Sequence, residues 1–196
     1  MTLILIILTC LVSFFAFSNQ RLMGASLFWP YYIKRKREWW RFVSCGFIHA
    51  DYIHLAFNMI TLYFFGRIAE LYIFGTRGFL YFYLLALLAS NLYSYFRHSN
   101  DFDYRALGAS GAVSATVFAF IILAPWEKII IFILPVPAIL YGVIYLGYSA
   151  FMSRRGDDHI GHDAHLWGGI FGIVYTLLLR PELGGQFISK LLEFHL

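Results

Sequence analysis

Charge is what this sequence has least of. Asp, Glu, Lys and Arg make up only 13% of its 196 residues, while 60% are hydrophobic and 20% aromatic. A soluble domain typically has about a quarter of its residues charged. The shortage excludes a water-soluble monomer and a disordered chain. Basic residues exceed acidic ones by a net +4, and the uncharged stretches are too long for a nucleic-acid footprint. Cysteine is nearly absent: Cys10 and Cys45 alone cannot make a disulfide scaffold, so the redox compartment stays open. Internal repeats and linkers are missing too, which leaves a single domain over residues 1–196, dissolved in lipid.

What is there is a set of long uncharged runs. A helix needs roughly 20 apolar residues to cross a bilayer, with about 17–25 tolerated. Six runs qualify as candidates: about Thr2–Phe17, Tyr52–Phe65, Phe79–Phe96, Ala109–Ala124, Ile129–Met152 and Ala164–Leu179. Charge or Gly/Pro punctuation bounds them, as at Arg67, Gly75-Thr76-Arg77-Gly78 and Pro125-Trp126-Glu127-Lys128. Backbone groups in lipid must satisfy one another, and no alternating strand pattern competes, so all six are expected as helices. The first has no basic n-region, and Ser13-Phe14-Phe15-Ala16-Phe17 is a poor cleavage site, so it is expected to be a retained helix.

The connection at about 18–47 carries Trp29, Tyr31, Tyr32, Trp39 and Trp40 among Lys34, Arg35, Lys36, Arg37 and Arg41. Rings interleaved with snorkelling cations predict a segment lying in the headgroup layer. The odd-numbered connections hold most of the basic residues, which by the positive-inside rule places them in the cytoplasm.

Polar residues inside such runs are costly and point to a site. His54 and Asn58 are one helical turn apart and share a face, with His49 just before them. Hydrogen bonding between helices is the bland alternative for each. The fourth run opens Gly108-Ala109-Ser110-Gly111. A serine between two glycines at a helix start meets unpaired N–H groups and a close-approaching backbone. Ser90 and Ser114 are expected only to bond back to carbonyls one turn earlier. At roughly 1.5 Å per residue the fourth run rises about 24 Å, short of a core of about 30 Å. Its amino end is therefore expected below the membrane surface, in a water-filled cavity.

The sixth run begins Ala164-His165-Leu166-Trp167-Gly168-Gly169-Ile170-Phe171-Gly172. His165, Gly168 and Gly172 lie on one face, and Gly111 and Ala115 form the matching small-residue face on the fourth run. Docking these faces brings His165 within reach of Ser110. A serine with an imidazole base is the minimum for nucleophilic acyl transfer. His54, Asn58 and the Ser110 N–H are candidate donors to an oxyanion. Asp163 is too close in sequence to His165 to serve as a third catalytic member, and a dyad does not need one.

With these motifs in this order, the chain resembles the rhomboid family of intramembrane serine proteases from Trp40-Arg41 to Gly172. Trp40-Arg41, His49, His54 with Asn58, Gly66, Glu70, Gly75, Gly108-Ala109-Ser110-Gly111 and Ala164-His165 through Gly168 and Gly172 carry the resemblance. It implies an all-α polytopic membrane protein with six transmembrane helices, and a rhomboid-like bundle around a water-filled site. It implies Ser110 as nucleophile, His165 as base, and His54 and Asn58 in the oxyanion hole, with His49, Gly108, Gly111, Gly168 and Gly172 in support. The expected activity is endoproteolysis of transmembrane segments of other membrane proteins in a lipid environment, with no metal, cofactor or nucleic acid. Substrates would enter past the fifth helix, with a cap around Met152–Asp163. The expected location is a multi-pass position in the bacterial inner (cell) membrane. The position four after Ser110, a tyrosine in many relatives that stacks on the base, is Ser114 here. The family's usual orientation is also opposite to that implied by the basic residues.

Two other readings compete. One is an inert rhomboid-like protein that binds or chaperones membrane clients, which would be expected to lack the serine or the base. The other is a metal-handling protein using His159, His162 and His165 with His49 and His54, against which stands the lack of firm ligand spacing.

Overall fold

The computed structural model describes residues 1–131, 133–155 and 161–193. Helix α1 (Thr2–Ser18) buries Thr2, Leu5, Thr9, Ser13 and Ala16, a stripe at helical spacing, and turns Leu3, Ile4, Ile7, Leu11 and Phe15 outward. An apolar outer face is the mark of a helix whose other neighbour is not water.

The connection that follows is more ordered than a loop. It contains three short helices: α2 (Gln20–Ser26), α3 (Pro30–Lys36) and α4 (Arg41–Ser44). The Asn19 side chain caps α2 by accepting from the N–H groups of Arg21 and Leu22, and Pro30 starts α3. Phe28, Ile33, Phe42 and Cys45 close beneath them as a small core. Arg41 is buried and donates to Glu38 and to the carbonyls of Gly24 and Leu27, stitching the segment together. The cations Arg35, Lys36 and Arg105 lie over the rings of Tyr31, Tyr32 and Trp29 at 3.7–4.0 Å.

Helix α5 (Tyr52–Thr61) is capped by Asp51, whose carboxylate accepts from the His54 N–H at 2.7 Å. It continues through two wider π-type stretches, Leu62–Gly66 and Ala69–Phe74. The chain reverses at Gly75, where φ is +69°, into α6 (Gly75–His98). Gly66 consequently lies against Phe79, which a straight helix would hold some 20 Å away. Near this turn Glu70 accepts from the Thr2 N–H and hydroxyl, both at 2.7 Å.

Helix α7 (Ser110–Leu123) is the axis of the bundle, with every residue from Gly111 to Ile122 buried. Over that stretch it is apolar on every face apart from Ser114 and Thr116, whose hydroxyls are hydrogen-bonded, as suits an enclosed helix. After it comes a two-stranded antiparallel hairpin, β1 (Lys128–Ile131) and β2 (Leu134–Pro137), and then α8 (Ala138–Arg155). This corrects the expected helix over 129–152: its first turns are strand. Pro135 and Pro137 cannot donate to a helical ladder, but they fit a ribbon in which both strands are edges. Helices α9 (His162–Leu179) and α10 (Glu182–Leu192) complete the described chain. Because α8 runs on to Arg155, the expected cap is shorter than 152–163, and 156–160 lies outside the described residues.

The chain is mostly helical. The run Tyr52–His98 is long and apolar enough to cross a membrane, while Thr2–Ser18 and Ser110–Leu123 are apolar but shorter. The number of spans is taken up under the proposed function.

Candidate active site

Helices α5, α7 and α9 all start at the same end of the bundle, so His54, Ser110 and His165, each in a first turn, converge there. The α7–α9 contact sets the distance. Gly168 lies on the Gly111 backbone and Gly172 on that of Ala115, so closely that a methyl group at either glycine would collide with a carbonyl. This approach places His165 Nε2 2.8 Å from Ser110 Oγ.

The Ser110 turn is held from behind. Gly108 has φ +110°, and a Cβ there would come within 2.8 Å of His54 Nε2, so the residue is glycine for conformation and for space. Its N–H donates to the Cys45 carbonyl at 2.9 Å. The next N–H, of Ala109, donates to His49 Nε2 at 3.3 Å. The proton of the neutral His49 ring is thus on Nδ1, 3.0 Å from Ser13 Oγ, and the Ser13 hydroxyl donates to the Phe47 carbonyl at 3.0 Å. Burial, reinforced by the neighbouring His54, holds His49 down to about 3, so the ring stays neutral and keeps its acceptor.

Asn58 donates one amide N–H to the His54 carbonyl at 2.9 Å, and the amide carries a second donor. Asn58, Ser110 and His165 line two cavities of different character. One, of about 550 Å³, is lined also by Asp51, His54, Asn91 and Arg105. The other, of about 150 Å³, is walled by Phe57, Val113, Val117, Phe118, Tyr141 and Tyr145. The hydroxyl stands where the two cavities meet, the larger lined in part by charged side chains and the smaller mainly by rings and aliphatic side chains. The first N–H groups of α7, Ser110 among them, have no partner within their helix and carry its positive dipole end.

Two features differ from expectation or were not foreseen, the partner of Ser114 and the ring beside His165. Ser90 does bond back, to the Leu87 carbonyl at 3.3 Å, whereas Ser114 Oγ lies 2.6 Å from the Tyr145 hydroxyl. The Tyr145 ring, from α8, stacks on His165 at 5.9 Å and 26°. No spacing along α7 points to it, because the two residues meet only when α8 docks. Asp163 accepts from Ser153 and Arg97, the latter at 3.4 Å. Among the described residues no three His, Cys, Asp or Glu side chains gather to hold a metal, and His159 lies outside them.

The Rhomboid domain model matches residues 36–182. The chain is 32% identical over 155 residues to RHOMBOID-like protein 12, mitochondrial, of Arabidopsis thaliana, covering 70% of this chain and 46% of that protein. It is 33% identical over 158 residues to Rhomboid-like protein 11, chloroplastic, of the same plant, covering 72% and 52%. It is 28% identical over 159 residues to Rhomboid protein 1, mitochondrial, of Saccharomyces cerevisiae, covering 77% and 42%. The chain thus spans about half the length of these curated relatives. All three are organelle proteins of eukaryotes and give no support to the bacterial cell membrane expected from the sequence. The match runs through every helix of the site just described, and the chain belongs to the rhomboid family.

Proposed function

We propose that this protein is an intramembrane serine endopeptidase that cleaves transmembrane segments of other membrane proteins with a Ser110–His165 dyad. The observation that carries the reading is the 2.8 Å approach of Ser110 Oγ to His165 Nε2 at the meeting point of the two cavities. Six spans, formed by α1, the α5 run to Phe74, α6, α7, α8 and α9, put this point beneath the membrane surface. Helix α7 rises only about 21 Å from Ser110, less than a core of about 30 Å.

In this reading the Ser110 hydroxyl donates its proton to Nε2 as its oxygen attacks the scissile carbonyl. The oxyanion forms among the Ser110 N–H, the Asn58 amide and the His54 ring, donors fixed before the reaction begins. His165 returns the proton to the leaving amine, and an acyl group remains on Ser110. Water reaches the ester through the larger cavity lined by Asp51, His54, Asn91 and Arg105. His165 then draws a proton from that water and hands it to the departing serine. The smaller cavity is sized for one side chain next to the bond being cut. Asp163, engaged with Ser153 and Arg97, orients the start of α9 without touching the dyad.

Purified protein in detergent, mixed with a fluorescent transmembrane reporter, tests the reading. The native chain is expected to cleave, and Ser110→Ala and His165→Ala to fall to background. Cleavage that survives Ser110→Ala overturns the mechanism. A folded native protein that cleaves no reporter and takes up no fluorophosphonate at Ser110 favours the inert client-binding alternative.

A further inference from the structure

Ser114 has no ring to lay against the imidazole, yet it is not idle. Its Oγ lies 2.6 Å from the Tyr145 hydroxyl. That bond fixes the far end of a ring whose face lies on His165, 5.9 Å away and inclined by 26°. Tyr141 also stacks on Tyr145 at 5.4 Å and 30°, and the Phe118 ring lies 6.0 Å from it. Tyr145 therefore has its hydroxyl tied to α7 and its ring in contact with Tyr141, Phe118 and the imidazole. The His162 ring also meets the imidazole, edge-on at 5.9 Å, and the two rings together limit rotation of His165 about its side-chain bonds.

We propose that Tyr145 is a positioning residue for His165, supplying from α8 the aromatic face that holds the base toward Ser110, with Ser114 as its anchor. The proposal rests on the dyad reading and adds a dependence to it. Helix α8 buries only Ala138, Gly142 and Ser149 and exposes Leu140, Val143, Ile144, Tyr148 and Phe151, so much of its surface faces away from the bundle. Whatever moves α8 outward takes the stacking ring away from the base. The dyad is fully ordered only while α8 is docked.

The test compares Tyr145→Phe, Tyr145→Leu and the double variant Tyr145→Leu/Ser114→Tyr in the detergent reporter assay, with kcat and KM separated and thermal melting recorded. Tyr145→Leu loses the ring, and a misplacement of the base by about 1 Å is expected to lower kcat roughly 10- to 100-fold. KM is expected to stay within about threefold, because the substrate's contacts are retained. Tyr145→Phe keeps the stack but loses the bond to Ser114, so kcat is expected to fall roughly two- to tenfold, clearly less than in Tyr145→Leu. The double variant offers a ring from α7, one turn from Ser110, and is expected to recover most of the lost kcat.

Several results overturn the proposal: Tyr145→Leu with native kcat, a loss expressed only in KM, or Phe and Leu variants equally impaired. A melting point that falls in step with kcat in all three variants does so as well, since it marks a purely structural role. A native protein without Ser110-dependent cleavage overturns the protease reading itself, and the proposal with it. The distinction is visible in one data set, because the native and Ser110→Ala proteins are measured beside the three variants.

Discussion

Substituting Gly168 by alanine adds one methyl group where α9 meets α7. Built on the Gly168 backbone, its carbon would lie 2.8 Å from the Gly111 carbonyl carbon and closer still to the oxygen. Carbon atoms rest at about 3.5–4.0 Å, so the helices must part by roughly 0.7 Å or more. Nothing nearby yields easily, since the obstacle is backbone and Gly172 repeats the contact one turn on, against Ala115. Overpacking of this kind costs about 1–3 kcal/mol. The same separation acts directly on the 2.8 Å dyad contact, because Ser110 and His165 ride on the two helices being pushed apart. A shift near 1 Å in a reacting pair is worth about 10²-fold in rate, so kcat is expected to drop about 10- to 100-fold. Melting and reporter cleavage in the same detergent measure both effects. Gly147→Ala is the control, because nothing lies within 4 Å of a Cβ at that position on α8. It should keep native kcat and gain up to about 1 kcal/mol from helix propensity. If Gly168→Ala melts and cleaves like the native protein, the close α7–α9 approach does not set the dyad distance.

Further expectations concern the turn around the site. His54→Ala and Asn58→Ala should each lower kcat by about 10²–10³-fold with little change in KM, as expected for donors engaged in the transition state; an effect confined to KM would reassign them to substrate binding. Asp163→Asn should leave kcat within about fivefold while lowering the melting point, and a loss as deep as that of His165→Ala would make Asp163 a third catalytic member. Stability should fall as the pH drops from about 6.5 toward 3: the unfolded chain protonates His49 in that window while the folded chain, held near 3, does not. In His49→Gln, melting against pH should lose part of this slope, and an unchanged slope would remove His49 as its source.

The site was more legible in the sequence than the fold around it. Ser110, His165, His54 and Asn58 stand out because polar groups are conspicuous in uncharged runs, and their helical spacing places them on definable faces. The facing pairs Gly168 with Gly111 and Gly172 with Ala115 follow from the same periodicity. The β-hairpin does not. Ile129-Ile130-Ile131 is apolar without a period, and such a run suits a buried helix or a strand equally. Pro135 and Pro137, two residues apart, are the signal that separates them. The short helices α2, α3 and α4 form around Phe28, Ile33 and Phe42, a local core that a composition of rings and cations does not reveal. Tyr145 is hidden for a different reason. Its distance from His165 is set by how α8 lies against α7 and α9, and no pattern within one helix encodes that.

The enclosure of α7 also has a consequence in time. Ser110 is made well before His165, and it is α9, the last of the six long helices among the described residues, that closes over Gly111 and Ala115. On the proposed mechanism, a growing chain carries its nucleophile without the base that activates it while the residues from 110 to 165 are added. Competence comes only when α9 docks on α7, so chain order keeps a partly built protease from acting on its neighbours.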